Sequence, residues 1–504
     1  MLSSFRRAAA VATALAWAFF GDPGAVSAQT PAPTSAPRPT AAPAEPTKPA
    51  EAPSTPIAAD TKRKLPDYSG RGDEPTTAGD VLIWVPRVVL SPLYLVSEFV
   101  LRRPLGWLVS TAERENIPTL LVDFFTFGPD RQAGIIPTAL IDFGFQPSIG
   151  VYFYWNQFLF EQNKLRARAA FGGEDWVLLN LADRIEVLPG HDLGVRGEFL
   201  SRPDQLFFGF GPSSESNQGL GGGPRFRKRS LEGGFRYDAL LWRSSSFHSF
   251  VSVRDVNFNA FVGCCGDPTV ADAIGAGQYP EPPGLSDGYF IMTEGIEAAW
   301  DTRHPFDQTP QRDTDGSNPP GSGVRVAGRV EHAAGLDERR PFTGAPEQRY
   351  EWIRYGGAIG GYLDLNQAER VVGLTVYGEF VDPLREGGQI PFTEQITLGG
   401  ARPMRAFLNG RLVDRSAAVA QLSYSWPIWV WLEGTFHYAV GNVFGEHLSG
   451  FETRLLRNSV ALGLRSNTTR DHPFEILLGV GTKTFEDGSE IDSLRIQFGA
   501  TSGF

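Results

Sequence analysis

Arginines set among glycines offer the most chemistry in this chain. Leu398-Gly399-Gly400-Ala401-Arg402-Pro403-Met404-Arg405-Ala406-Phe407 ends a strand and opens a long loop, in which Asn409-Gly410-Arg411 and Asp414-Arg415-Ser416 follow. A guanidinium brings ion pairs and bidentate hydrogen bonds rather than a nucleophile. The groups that make and break bonds lack a frame. Seven histidines (His191, His248, His304, His332, His437, His447 and His472) are scattered among plentiful serines, and a lone histidine is most often structural or solvated. No enzymatic activity, cofactor or metal is expected. There is no HExxH helix, phosphate loop or EF-hand loop, and Asp313-Thr314-Asp315 reads as a solvated turn. Cys264 and Cys265 are adjacent, so thiols cannot build a disulfide framework or a four-ligand zinc site. Vicinal cysteines rarely bridge each other, so an inert pair or a bond between molecules is expected in their loop.

The elements that would position these residues have a period of two. Asp192, Gly194, Arg196 and Glu198 alternate with Leu193, Val195, Gly197 and Phe199. Arg325, Ala327, Arg329 and Glu331 alternate with Val324, Val326, Gly328 and Val330, and Ser493, Arg495, Gln497 and Gly499 with Leu494, Ile496, Phe498 and Ala500. Such segments have one apolar and one charged face. About sixteen follow one another from Gly134 onward, without a crossover helix. A soluble sandwich also alternates, but this number of ~9–11-residue strands in an exported chain fits a transmembrane barrel. Charged side chains must then face the lumen. Seventeen candidates can be marked, and Gln205–Gly209 is the weakest; single-chain bacterial barrels are even-numbered, so sixteen strands are expected. Gly211–Pro224, Gly263–Gly288, Phe306–Gly323 and Asp382–Arg415 are expected to be extracellular loops.

Composition agrees. The 504 residues include 57 Gly and 36 Phe, with 41% hydrophobic and 20% charged residues. That is neither a helical membrane protein nor a disordered chain. A net charge of −11 argues against nucleic acid as a partner. At the N-terminus, Arg6 and Arg7, an apolar run to Phe20 and Val26-Ser27-Ala28 read as a signal peptide over 1–28. A Pro/Ala-rich linker over 29–78 cannot bury enough surface to order itself. Residues 79–133 hold apolar stretches cut by Pro86, Pro92 and Pro104 and interrupted by Arg87, Glu98, Arg102 and Arg103. They read as an amphipathic helical segment on the periplasmic side, lying on a membrane surface or at a barrel mouth. Residues 134–504 are the barrel.

Several motifs carry a family resemblance. The ending Gln497-Phe498-Gly499 through Phe504 resembles the C-terminal β-signal of outer-membrane barrels, with Ser502 where a hydrophobic residue is usual. The run through Met404, Arg405, Ala406 and Phe407 resembles the sixth-loop signature of the BamA/TamA-type surface-antigen superfamily, with Ala406 in place of its glycine. Trp300-Asp301-Thr302-Arg303-His304-Pro305 and Phe207-Phe208-Gly209-Phe210-Gly211 are similar to further family stretches, in the family's order. The resemblance implies that Arg405 folds into the lumen to meet an aspartate on a following strand. At that place stand His437, Ala439 and Gly441, and the aspartate position is Ala439. A buried arginine without a carboxylate is costly, so either Arg405 finds another acidic partner, with Glu433 and Glu379 on inward registers as candidates, or the loop is held differently. No βααββ pattern fits ahead of the barrel, so this resembles a member lacking POTRA domains.

The resemblance implies a bacterial outer-membrane protein with its N-terminal segment in the periplasm, assisting insertion or transport of protein or lipid. Its partners would be outer-membrane lipid and lipopolysaccharide, the assembly machinery for its own insertion, and client proteins or lipids. A passive channel or structural barrel is the alternative.

Overall fold

The computed structural model describes residues 124–213, 222–303, 321–365, 369–429, 432–466 and 474–500, with single residues between 84 and 111. The expected signal peptide and linker, Asp313–Asp315 and Phe504 lie outside the described residues.

Sixteen antiparallel strands close into one barrel. They are β1 (Ala133–Asp142), β2 (Ser148–Asn156), β3 (Asn163–Phe171), β4 (Val177–Leu188), β5 (His191–Leu206), β6 (Arg225–Leu240), β7 (Ser246–Asn259) and β8 (Tyr289–Asp301). The second half comprises β9 (Gly323–Gly335), β10 (Glu351–Asp364), β11 (Val371–Pro383), β12 (Ser416–Trp429), β13 (Leu432–Phe444), β14 (Arg457–Ser466), β15 (Phe474–Thr484) and β16 (Ile491–Ala500). The weak candidate at Gln205 is the end of β5, continuous across an irregularity between Arg202 and Gln205. Each strand pairs with its chain neighbours, and β16 pairs with β1.

Alternation sorts the side chains as a barrel requires. Outward residues such as Ile149, Leu181, Val195, Ile296, Ile359 and Val376 are exposed, where lipid would cover them. Inward stand Arg196, Glu232, Arg236, Asp238, Glu331 and Arg354, paired across the lumen wall. Strand parity places the connections 207–224, 260–288, 336–350, 384–415 and 445–456 at one end, opposite short turns such as 189–190 and 241–245. The 302–322 connection joins β8 to β9 at the short-turn end. It does not lie with the other long loops, as its composition suggested, because β8 runs away from them.

At the long-loop end the lumen is filled. Ile390, Ile396, Leu398, Met404, Phe407 and Leu412 from the 384–415 loop pack with wall residues Tyr289, Trp352, Val419 and Val443. Beside them, the Phe392 ring meets those of Phe207 and Phe226, each with its centroid 5.1 Å away. Loop 260–288 adds Val270 and Leu285 and carries a disulfide between Cys264 and Cys265. The two cysteines therefore bond to each other, and no second molecule is needed.

Candidate functional site: the lumen loop and the seam

The 384–415 loop turns back into the barrel because its own backbone makes a compact lobe. Ile396–Leu398 pairs with Leu412–Asp414, and glycines at 399 and 400 take positive φ (95° and 66°) to reverse the chain. Gly400 N–H donates to Phe407 O (2.9 Å) and Phe407 N–H to Met404 O (3.0 Å). The lobe presents Met404, Arg405, Ala406 and Phe407, all buried, to the inner face of β14–β16.

That face is cut to receive it. Glu475, Leu477, Gly479 and Gly481 succeed one another on the inward register of β15. Arg405 Nη2 donates to Glu475 Oε2 at 2.7 Å, with both side chains nearly sealed from solvent. A Cβ at Gly479 would stand 2.8 Å from Ala406 Cα, and one at Gly481 would lie 2.7 Å from the Phe407 ring. Ala406 N–H donates to Ser459 Oγ (3.0 Å), and Ser493 Oγ donates to Ala406 O (2.8 Å).

The partner of Arg405 is thus Glu475, and neither expected candidate serves. Glu433 is taken by Arg465 (2.9 Å) and Glu379 lies 3.7 Å from Arg402. Ala439 joins the apolar core. His437 does approach, its Nε2 3.4 Å from Arg405 Nη1, while its Nδ1 lies 3.4 Å from Gln421 Nε2. At Gly441 a Cβ would come within 2.5 Å of Ala418 O, so this glycine serves strand contact and not the arginine. The carboxylate has moved two strands onward, from β13 to β15. The signal for it was present: an inward-register Glu475 followed by two inward glycines.

Other loop residues tie the lobe to the whole circumference. Glu394 accepts from Tyr289 Oη (2.5 Å) and pairs with Arg254 (3.3 Å) on the β7–β8 wall. Arg411 pairs with Asp492 (2.8 Å) on β16, and Asp492 also holds Arg457 (3.0 Å). The aromatic-glycine run of 207–211 takes part, since the Arg411 guanidinium lies 4.7 Å above the Phe208 ring. Burial pushes the Asp414 carboxyl above its usual range, against the neighbouring Arg415.

Among the described residues, the closing contact between β16 and β1 is the shortest in the barrel: Gln497↔Asp142, Phe498↔Ile141 and Gly499↔Leu140. Gly499 has φ 129°, and a Cβ there would meet Ala139 O at 2.0 Å, so only glycine fits this crossing. Arg495 bridges the seam with two hydrogen bonds to Asp142 (3.0 and 2.9 Å). The same guanidinium donates to Gly400 O (2.5 Å) and Arg405 O (2.9 Å) of the lobe, and to Gln497 Oε1. One side chain therefore touches both sides of the seam and the loop.

Two other clusters have structural roles. Asp301 and Arg303 form a buried pair at the short-turn end, with Arg303 stacked 3.8 Å over Tyr362. Asp382, Glu446 and His447 have ligand atoms within 4.8 Å of one another, but Arg415 pairs with both carboxylates (3.1 and 3.0 Å) and offsets one of their two charges. Gly284-Leu285-Ser286-Asp287-Gly288 has the letters of a hydrolase nucleophile turn. It precedes β8 instead of linking a strand to a helix, so it lacks that turn's geometry.

Residues 284–504 match the Omp85 superfamily domain, a stretch that contains β8–β16 and the whole lumen loop. No curated protein matches the chain. Among solved structures, it resembles BamA from Haemophilus ducreyi lacking POTRA domains 1–3 at 13% identity and TM-score 0.46, covering 73% of this chain and 70% of that one. CdiB from Acinetobacter baumannii is similar at 10% identity and TM-score 0.44, covering 74% and 60%. CdiB from Escherichia coli is similar at 12% and 0.42, covering 74% and 64%. The chain thus spans less than two thirds of either CdiB. The Omp85 superfamily domain of residues 284–504 thus forms the second part of a closed sixteen-stranded antiparallel barrel and carries the lumen loop.

Proposed function

We propose that this barrel assists the insertion or passage of protein or lipid at the outer membrane by parting β1 from β16, with the lumen loop as the brace that holds or frees the seam. The carrying observation is Arg495, which binds Asp142 across a three-pair seam and two carbonyls of the loop at once. Moving the lobe removes partners from the residue that fastens the seam. The reading takes the protein as non-enzymatic, with its N-terminal segment in the periplasm. Its partners are membrane lipid and lipopolysaccharide, a client protein or lipid, and the assembly machinery that reads Gln497, Gly499 and Phe504 as a β-signal for its own insertion. The packing of the lumen by loops at the long-loop end weighs against a permanently open channel.

The test is reconstitution of Ile141→Cys/Phe498→Cys, which lies across the seam, into phospholipid vesicles. Assisted folding of a second outer-membrane barrel is expected to stop when the seam is oxidised and to return on reduction. The single-cysteine variants should be indifferent to both treatments. Equal activity with the seam locked, or a steady conductance that ignores Arg405→Ala, would leave the passive barrel as the better reading.

A further inference from the structure

On the outside of the barrel, apolar side chains give way to charge beside the long loops of β5–β7. Glu232 on β6 faces the lumen, so alternation turns Arg227 and Arg229 outward. Ser201 on β5 stands opposite Arg229, while Asn257 and Asn259 on β7 stand opposite Arg229 and Arg227. From the turn between β3 and β4, Asp175 reaches both arginines, 2.7 Å from Arg227 Nη1 and 3.0 Å from Arg229 Nη2. One carboxylate thus holds two guanidiniums side by side and leaves one positive charge in excess. Asp255, on the same face of β7, lies 3.8 Å from Arg339.

Two atoms in this cluster point to a ligand. Arg229 Nε and Ser201 Oγ, on residues paired across the ladder, are buried and make no hydrogen bond among the described residues. Buried polar atoms are nearly always satisfied, and both of these can donate, so an oxyanion suits them. Asp175 occupies only part of what two guanidiniums offer, and the Arg229 side chain stays 37% exposed. Position decides which anion can arrive. Towards the short-turn end the same face continues with Phe199 and Leu231, then Val195, Phe235 and Val251. This apolar wall is the surface given to lipid, and arginine is tolerated on it at headgroup depth and not at mid-bilayer. The cluster therefore stands at headgroup level, immediately above acyl-chain depth, at the long-loop end that faces the exterior in such barrels.

We propose that Arg227, Arg229 and Ser201 bind a phosphate monoester on the sugar headgroup of lipopolysaccharide, whose acyl chains lie along Phe199, Leu231 and Val195. A phosphate monoester accepts parallel hydrogen bonds from a guanidinium and carries more charge than the carboxylate it joins. A zwitterionic phospholipid headgroup brings a cation of its own and gains less from two arginines. This site rests on the functional reading above only for its outer-membrane setting. It lies five strands round from the seam and fails independently of it.

The full chain is folded in detergent micelles, and binding of fluorescent lipid A carrying both phosphates is titrated, with folding of each variant checked by heat-modifiable gel migration. Arg227→Gln/Arg229→Gln should bind about tenfold more weakly. Asp175→Asn, which removes the competing carboxylate, should bind several-fold more tightly. Arg243→Gln, at the short-turn end, should bind as the unaltered chain does. Equal affinity of the double variant overturns the proposal. So does equal affinity of the unaltered chain for lipid A stripped of its phosphates, which leaves acyl contact alone. Should the double variant fail to fold, Asp175→Asn decides, and unchanged or weaker binding there refutes the site. Displacement of lipid A by an equal concentration of inorganic phosphate makes this a free-phosphate site and overturns the lipid source.

Discussion

The β6–β7 wall and the β16–β1 seam are built from the same kind of strand and held by different means. Among the described residues, the wall runs in register over fourteen residue pairs, the seam over three. Along the wall, cohesion is main-chain hydrogen bonding, and inward charges such as Glu232 of β6 and Arg196 of the adjoining β5 pair in a lumen that leaves the arginine 37% exposed. At the seam the ladder is too short to do this, and buried side chains take over. Arg495 fastens β16 to β1, while Arg405, Ala406 and Phe407 press the loop onto β14–β16. A contact held by a few buried charges can be released by moving one loop; a long ladder cannot. The comparison therefore locates the closure of this barrel that depends most on side chains.

The comparison is broken most severely by removing its central buried charge. Arg405→Ala leaves Glu475 sealed and unpaired, which should cost about 3–5 kcal/mol, read as a lower urea midpoint in detergent and as loss of heat-modifiable gel migration. Arg405→Met/Glu475→Leu should recover most of the loss. A cost below about 1 kcal/mol for Arg405→Ala, the size of an exposed pair, would sink the brace. Next in size is Gly481→Leu, which drives a side chain into the Phe407 ring and should cost about 1–3 kcal/mol by overpacking. Amide exchange should then rise in β16 and stay slow in β6 and β7; a uniform rise would mean that the loop is not coupled to the seam in particular.

The sequence made the wall legible and the site only in part. Sixteen strands could be read because each one's alternation is local: Leu193 and Val195 face lipid because Gly194 and Arg196 face inward, whatever the rest of the chain does. Arg405 was recognisable as a lumen residue from its motif. Its partner was not, because Glu475 lies seventy residues away, and alternation tells which residues face inward but not which strands a loop will reach. The carboxylate could be sought on β11 or β13 with equal reason. Gly479 and Gly481 are informative only once the loop is known to lie on them. The side of the 302–322 connection needed a count of strands, since glycine, proline and aspartate read the same at either end.

A finer test separates the fastening from general stability. Arg495→Gln keeps some hydrogen bonding and loses the charge, so charge-assisted bonds worth about 1.5–3 kcal/mol weaken. Because four of its five acceptor atoms belong to Asp142 across the seam and to the loop, the effect should be local. Exchange of the Gln497–Gly499 amides should quicken while the global urea midpoint moves little. Asp142→Asn should act in the same place, and the pair of substitutions should be less than additive. Full additivity would show that Arg495 and Asp142 act separately and that the seam is held by its backbone alone.

The smallest effect is expected on the wall, and its smallness is what the comparison requires. Arg196→Ala removes a 2.7 Å ion pair to Glu232, a distance equal to that of Arg405 to Glu475. Distance alone would rank the two pairs together. Water reaches Arg196, so its charge is screened, Glu232 keeps Arg254 within 3.9 Å, and the loss should fall below about 1 kcal/mol. Urea unfolding of Arg196→Ala and Arg405→Ala side by side isolates burial as the variable. A loss at Arg196 matching that at Arg405 would mean that the lumen is dry along the wall as well, and the distinction between a main-chain wall and a side-chain seam would fail.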